Sequence, residues 1–284
     1  MPESVNFAVW EPIVRLAAFL GVFAVMASWE ALAPRRARLH ARLARWPRNL
    51  GIMVINSVAV RLLFPTAAVG FALLARERGW GLFNALGVNE GIAAVLALIA
   101  LDFVIYLQHV MFHAVPALWR LHRVHHADPD FDVTTGARFH PLEIVLSMLI
   151  KFATIAALGP PAIAVLVFEI ALNASALFNH ANVKLPVRLD SMLRWAIVTP
   201  DMHRIHHSQR RVEADSNYGF NLSWWDRLLG TYTPAAREPQ ESMGIGVAGI
   251  TGRPEAVTLR GMLTIPLAGE SPSAERSFGQ PHVK

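Results

Sequence analysis

The segment GIAAVLALIALDFVIYLQHVMFH, residues 91–113, joins an apolar stretch to a pair of histidines at its end. A transmembrane helix needs about 20 mainly apolar residues, and residues 91–111 reach that length. His109 and His113 are four residues apart, so a helix places both rings on one face. The segment therefore predicts a membrane helix that brings two imidazoles to one point.

Most of the other histidines fall in the stretch that follows, in two groups of the form His-x-x-His-His with single histidines between them. Imidazole is the commonest metal ligand in proteins and suits iron, zinc and copper. Adjacent histidines on a helix point about 100° apart, which suits two neighbouring metal ions better than one. We therefore predict a two-metal site whose ligands are His109, His113, His122, His125, His126, His140, His180, His203, His206 and His207.

Two of these histidines have a second interpretation. His140 precedes a proline at a predicted helix start, so a helix-capping hydrogen bond is as plausible as metal binding. His180 ends an apolar segment, where a capping role competes with ligation. His40 and His282 lie outside the pattern and are predicted to be exposed to solvent.

The composition indicates an integral membrane protein. Of 284 residues, 54% are hydrophobic and only 17% are charged, and the mean hydropathy is +0.36. Cysteine is absent, which excludes disulfides and thiolate ligands, so nitrogen or oxygen must hold any transition metal. The net charge of +5 comes mainly from arginines beside apolar stretches, which favours contact with anionic lipid over nucleic acid.

Hydropathy predicts an all-α, multi-pass bundle of about three spans plus a helical hairpin. The spans are residues 12–29, 52–74 and 91–111. The apolar region 142–178 is too long for one span, and the Gly-Pro-Pro sequence at 159–161 divides it into two helices.

The arginines predict the orientation of the bundle. The loop after the first span is rich in arginine, so the positive-inside rule places it in the cytoplasm. Counting spans from there puts every histidine group on the cytoplasmic side, in a helical cap with Trp195, Trp224 and Trp225 as interfacial anchors. We divide the chain into N-terminal spans with a basic loop (1–90), a catalytic domain (91–233) and a cytoplasmic tail (234–284) whose end is predicted to be disordered.

Two charged residues inside the spans need partners, since a charge within a bilayer is costly. Asp102 shares a helix face with His109 and His113, and its partner is either a ligand histidine of a neighbouring helix or Arg61. Lys151 either extends toward the interface or meets Glu169.

Other motifs are weak or missing. The glycines 244, 246 and 249 match a dinucleotide fingerprint, but no strand precedes them and Pro254 interrupts any following helix. The His-Glu-x-x-His pattern of zinc proteases is absent.

Several segments resemble the fatty acid hydroxylase/sterol desaturase superfamily of membrane di-iron enzymes. The matching stretches are DFVIYLQHVMFH (102–113), WRLHRVHHAD (119–128), RFHPLE (138–143), FNHANVKLP (178–186), TPDMHRIHHSQ (199–209) and NYGFNLSWWDRLLGTY (217–232). The resemblance implies two Fe ions held by the eight histidines of the three boxes, with O2 as co-substrate. His140 and His180 match additional histidines of bacterial-like members, and a bacterial inner membrane is implied. A fused cytochrome b5 domain is not recognisable, which implies a separate electron-transfer protein or reductase.

The predicted function is oxygen-dependent C–H oxidation of a lipid, either hydroxylation or desaturation, by an oxidoreductase of the monooxygenase type. Two other functional classes fit the sequence less well. A membrane metal transporter should place its ligands near the bilayer midplane, whereas these cluster at one side. A zinc hydrolase needs only three or four ligands, and no catalytic glutamate stands beside the histidines.

Overall fold

The computed structural model of the chain describes residues 3–64 and 66–269, with side chains from residue 10 onward in the first helix. The predicted disorder at the C-terminus, and His282, fall outside the described residues. The described part is helical, and its α-helices are α1 Glu3–Leu32, α2 Arg42–Leu63, α3 Ala68–Glu77, α4 Leu82–Ala85, α5 Glu90–Ala114, α6 Pro116–His126, α7 Pro141–Leu158, α8 Ala162–Asn179, α9 Val187–Leu193, α10 Pro200–His206, α11 Arg211–Ala214, α12 Trp224–Leu228 and α13 Leu259–Thr264. Short 3-10 turns follow at Thr135–Ala137, Pro254–Val257 and Ile265–Leu267.

Five segments among the described residues are long and apolar enough to cross a membrane, which confirms the predicted all-α membrane bundle. They are Trp10–Leu32, Arg42–Ala85, Glu90–Ala114, Pro141–Leu158 and Ala162–Asn179. The break between the last two lies at the predicted Gly-Pro-Pro sequence. Gly159 ends α7 in the left-handed conformation with φ of 65°, which glycine adopts without a steric cost.

The second predicted span was wrong in its bounds. Instead of one helix over residues 52–74, α2 starts at Arg42 and ends at Leu63, and α3 follows at an interruption. The first turns of α2 are polar, so hydropathy alone does not detect them. Two of their polar side chains, Arg45 and Asn49, are nevertheless buried, and Arg45 donates to Asp128 at 2.8 and 2.6 Å and to Asp132 at 2.6 Å.

The core of the bundle lies where α3, α5, α7 and α8 meet. Small side chains of α3, including Ala68 and Ala72, share one buried cluster with Leu101 of α5 and with Val165 and Phe168 of α8. Small residues let membrane helices approach closely, because dispersion contacts rather than hydrophobic burial hold them together in lipid. The packing aligns the ends of α5 and α8, which carry histidines.

The two ends of the bundle differ. At the histidine end, hydrogen bonds fix the arginine-rich loop 33–41 to the bundle. Arg35 donates to Asp201 at 3.1 Å, and the Leu39 amide donates to Asp130 at 2.9 Å. At the other end, Gly81 lies so close to Gly159 that an added Cβ would come within 2.1 Å of the Gly159 nitrogen. The basic loop and the histidines therefore share one end, opposite the 78–89 loop.

Candidate metal centre

Nine histidines converge at the end of the bundle from four helices. His109 and His113 lie on α5, His122, His125 and His126 on α6, His180 directly after α8, and His203, His206 and His207 on and after α10. All nine are buried. Local sequence fixes where α10 starts, because Pro200 begins it and the Thr199 hydroxyl accepts from the Met202 amide at 3.3 Å.

The histidines form two groups, and within each group the candidate ligand atoms lie within 4.8 Å of one another. The first group is His109, His113, His122, His126 and His206, and the second is His125, His180, His203 and His207. Histidines four residues apart fall in the same group, and adjacent histidines fall in different groups. This is the arrangement of two metal sites side by side.

Several ring nitrogens face each other at short distance. The Nε2 atoms of His113 and His126 are 3.1 Å apart, and the Nε2 atom of His180 lies 3.0 Å from that of His125 and from that of His203. Two ligand atoms about 2.1 Å from one metal, set at right angles, would be separated by about 3 Å. The rings are thus spaced as ligands of a common ion would be.

Other ring nitrogens have no hydrogen-bond partner among the described residues. They are Nε2 of His109, His122 and His206, Nδ1 of His203, and both nitrogens of His207. A buried polar atom left unpaired costs about 1–3 kcal/mol, so proteins rarely retain such atoms without a use for them. Several free imidazole nitrogens aimed into one volume fit a pair of transition-metal ions such as iron.

The opposite nitrogens of most of these rings are held in place. Nδ1 of His109, His206 and His180 lies 2.8, 2.8 and 2.7 Å from the carbonyl oxygens of Tyr218, Ser216 and Ala176. A carbonyl only accepts, so each Nδ1 carries the proton and each Nε2 is left as the ligand atom. Such outer contacts fix the ring orientation and tautomer of ligating histidines.

Two carboxylates serve the same purpose. Glu143 accepts from Nδ1 of His122 at 2.7 Å, and Asp215 accepts from Nδ1 of His113 at 3.2 Å. Neither contact was predicted from sequence. The RFHPLE stretch, which ends at Glu143, carried the one available signal, and nothing in the sequence marked Asp215.

The rings are kept neutral by their surroundings. Burial lowers the pKa of His180 to about 3, and burial together with neighbouring histidines lowers the pKa of His206 and His207 well below the usual value. Neutral imidazole is the form that binds a metal ion. The lowered pKa values and the Nδ1 hydrogen bonds thus both leave the Nε2 atoms unprotonated and able to bind a metal ion.

His140 lies outside both groups. Its Nδ1 accepts from the Leu142 amide at 3.2 Å at the start of α7, and its Nε2 is 3.4 Å from the Leu263 carbonyl oxygen. The helix-capping alternative therefore describes its position in the structure. His40 is exposed, in agreement with the sequence.

Asp102 has neither of the two partners predicted for it. It accepts from the Asn221 side chain at 2.8 Å, the Trp225 indole at 2.8 Å and the Leu222 amide at 3.3 Å. Helix spacing identified the buried face correctly but carried no information about which loop packs against it. The pairing of Lys151 with Glu169 is confirmed at 2.5 Å.

A cavity of about 650 Å³ opens from the histidine end into the membrane part of the bundle. Apolar side chains such as Met53, Ile105 and Leu172 form most of its walls. Near the histidines it is bounded by Phe139, whose ring stacks on His125 with centroids 4.4 Å apart. The metal centre thus adjoins a space that suits an apolar molecule.

The similarity of this chain to known proteins covers the region that contains the nine grouped histidines. Residues 94–231 match the family model for fatty acid hydroxylase. The chain is 32% identical over 151 residues to an ornithine lipid hydroxylase of Rhizobium tropici, covering 53% of this chain and 45% of that protein. It is 29% identical over 139 residues to an alkylglycerol monooxygenase of Xenopus tropicalis, covering 49% of this chain and 30% of that protein. The chain thus spans less than half the length of these curated relatives, and no solved structure matches it.

Proposed function

The chain belongs to the fatty acid hydroxylase/sterol desaturase superfamily, and we propose that it is a membrane-bound, oxygen-dependent lipid hydroxylase with a histidine-ligated di-iron centre. The observation that carries the proposal is the pair of buried histidine groups with free ring nitrogens beside an apolar cavity. We favour hydroxylation over desaturation because the named relatives are hydroxylases and monooxygenases.

Each part of the site has a role in this proposal. Bound iron would supply the activation of dioxygen and the oxidation of an unactivated C–H bond, with electrons from a separate carrier. The nine grouped histidines hold the metals, and their Nδ1 contacts keep the Nε2 atoms directed inward. The apolar walls of the cavity would align a lipid chain with the site.

We assign the catalytic centre to residues 91–233 and the membrane anchoring to residues 1–90 together with the α7–α8 hairpin, with residues 234–284 as a tail. We further propose that the histidine end faces the cytoplasm of a bacterial cell. The loop 33–41 supports this orientation, because it is rich in arginine and is bonded to the histidine end.

Iron reconstitution tests the proposal. The purified protein, loaded with Fe(II) without oxygen and given lipid extract and a chemical reductant, should consume O2 only when lipid is present. Mass spectrometry should find lipids that have gained one oxygen atom. His206→Ala should abolish the product while the protein still inserts into membranes, and His40→Ala, an exposed histidine outside both groups, should leave it unchanged. Product formation in the absence of oxygen would contradict the proposal.

A further inference from the structure

The cavity beside the histidines has a polar end inside the membrane part of the bundle. Its lining includes Glu143 near the histidines and Arg15, Lys151 and Glu169 farther in. On α7, Lys151 is eight residues beyond Glu143, or about 12 Å along a helix. On α8, Glu169 is eleven residues before His180, or about 16 Å. The cavity is therefore long, with metal ligands near one end and charges near the other.

The charges at the polar end form a chain of ion pairs. Lys151 donates to one oxygen of Glu169 at 2.5 Å, and Arg15 approaches the other at 2.8 Å. Arg15 also donates to Glu11 at 3.0 Å. Charged side chains within membrane helices are expensive and usually mark a substrate or ion pathway.

The cavity lining carries an excess of positive charge. It contains three cations, Arg15, Arg61 and Lys151, and two carboxylates, Glu143 and Glu169. Glu143 is engaged by His122, and Glu169 is shared by two cations. Arg61 makes no ion pair with any residue that the structure describes. Arg61, an exposed residue, is therefore the lining cation with which an entering anionic group could pair.

We propose that the cavity binds a lipid bearing an anionic group, which Arg61 receives while the chain lies along the apolar walls toward the histidines. This rests on the proposed function for the chemistry at the histidine end. On α2, Arg61 lies five residues, or about 7.5 Å of helix, beyond Asn56, whose side chain donates to the Phe139 carbonyl beside the histidines. The carbon presented for oxidation therefore lies along the chain from the anionic group and not next to it. The distance from the bound anionic group to the metal centre would thus determine which carbon of the lipid is oxidised.

Photo-crosslinking tests this binding mode without turnover. The protein in lipid nanodiscs, kept under nitrogen, is exposed to a long-chain fatty acid with a diazirine at its methyl end, or to the matching alcohol. Peptide mass spectrometry then locates the crosslinks. The acid should label the region around Phe139 and Ala176 about tenfold more than the alcohol, a difference that one charge-assisted contact can supply.

Variants distinguish recognition from general partitioning. Arg61→Gln should remove the preference for the acid, and Arg78→Gln, an exposed arginine outside the cavity, should preserve it. A lysophosphatidate with the same diazirine separates the two sources of charge, because stronger labelling by the phosphate or by the carboxylate identifies the group and upholds the proposal either way. Equal labelling by acid and alcohol, or a preference that survives in Arg61→Gln, would overturn it. The assay needs no oxygen, so its failure is distinct from a failure of the oxidation assay.

Discussion

Six of the nine grouped histidines are held by a hydrogen bond at Nδ1, on the side away from the volume that their Nε2 atoms share, and the strength of that hydrogen bond varies with the acceptor. Backbone carbonyls hold His109, His180 and His206, whereas Glu143 holds His122 with a carboxylate. A charged acceptor makes a stronger hydrogen bond and raises the basicity of the ligand nitrogen. Glu143 is also buried, at 4% exposure.

We therefore expect Glu143→Ala to lower metal affinity by about 10- to 100-fold, the usual effect of losing such an outer partner. Glu143→Gln should fall in between, because the amide oxygen still accepts the Nδ1 proton of His122. Iron retained per chain during titration with a chelator measures the effect.

A second buried carboxylate serves as the control for Glu143. Asp190 pairs with Arg194 and lies outside both histidine groups, so Asp190→Ala should change stability but leave metal affinity unchanged. Wild-type affinity in Glu143→Ala would contradict the role assigned to it.

The sequence predicts contacts between residues that are close along the chain, but it does not predict contacts between distant residues of the site. Spacings of three and four residues predicted which histidines share a helix face, because helix geometry is local. The partners of Asp102 and His113 come from residues more than a hundred positions away. No local pattern encodes such a contact, which depends on how the loop 215–225 folds back.

Among the elements, the short helices α9 and α12 expose more apolar surface than a water-facing cap would tolerate. Val187, Met192, Trp195 and Leu228 are 80%, 71%, 68% and 72% exposed. Trp225 of α12 donates to Asp102, which lies seven residues before His109 on α5, or about 10 Å toward the membrane interior. The Trp224 indole of α12 donates to the carbonyl of Trp195, just after α9, at 2.9 Å, so the two helices lie together at a depth where lipid can cover them.

Spin labels can test whether α9 and α12 are immersed in the bilayer. The sequence contains no cysteine, so Met192→Cys, Leu228→Cys and Val212→Cys can each be labelled singly. Labels at 192 and 228 should be more accessible to dissolved oxygen, which concentrates in lipid, than to a water-soluble nickel complex. The label at 212, on α11 and 73% exposed, should show the reverse. The same profile at all three positions would show that α9 and α12 are not embedded.

At the start of α2, hydropathy fails to predict the helix. Residues 42–51 are too polar to resemble a span, yet Arg45 and Asn49 are buried by contacts to Asp128. Burial raises the pKa of Asp128, but Arg45 and Arg138 outweigh this effect and hold that pKa at about 2. A buried polar helix turn of this kind is identified by its partners and not by its composition.

At the scale of the whole molecule, the bundle fixes which loops share a side of the membrane. Single cysteines at Arg38, in the loop bonded to the histidine end, and at Leu86, in the opposite loop, report on the two sides. In intact cells, a membrane-impermeant maleimide should label Leu86→Cys and should label Arg38→Cys only after lysis. Labelling of both from outside would contradict the arrangement of the bundle. The opposite result would keep the arrangement but place the histidines outside the cytoplasm.

The buried ring nitrogens without partners also bear on the fate of a newly made chain. His207 alone has two such atoms, and each unpaired buried atom costs about 1–3 kcal/mol until something binds it. Metal binding would remove the free-energy cost of these unpaired nitrogens and would stabilise the folded protein, because it links chain segments from His109 to His207. We therefore expect the cellular supply of metal to set the half-life of this protein as well as its activity. When metal is scarce, the metal-free protein should be degraded by proteases and should not accumulate as an inactive enzyme.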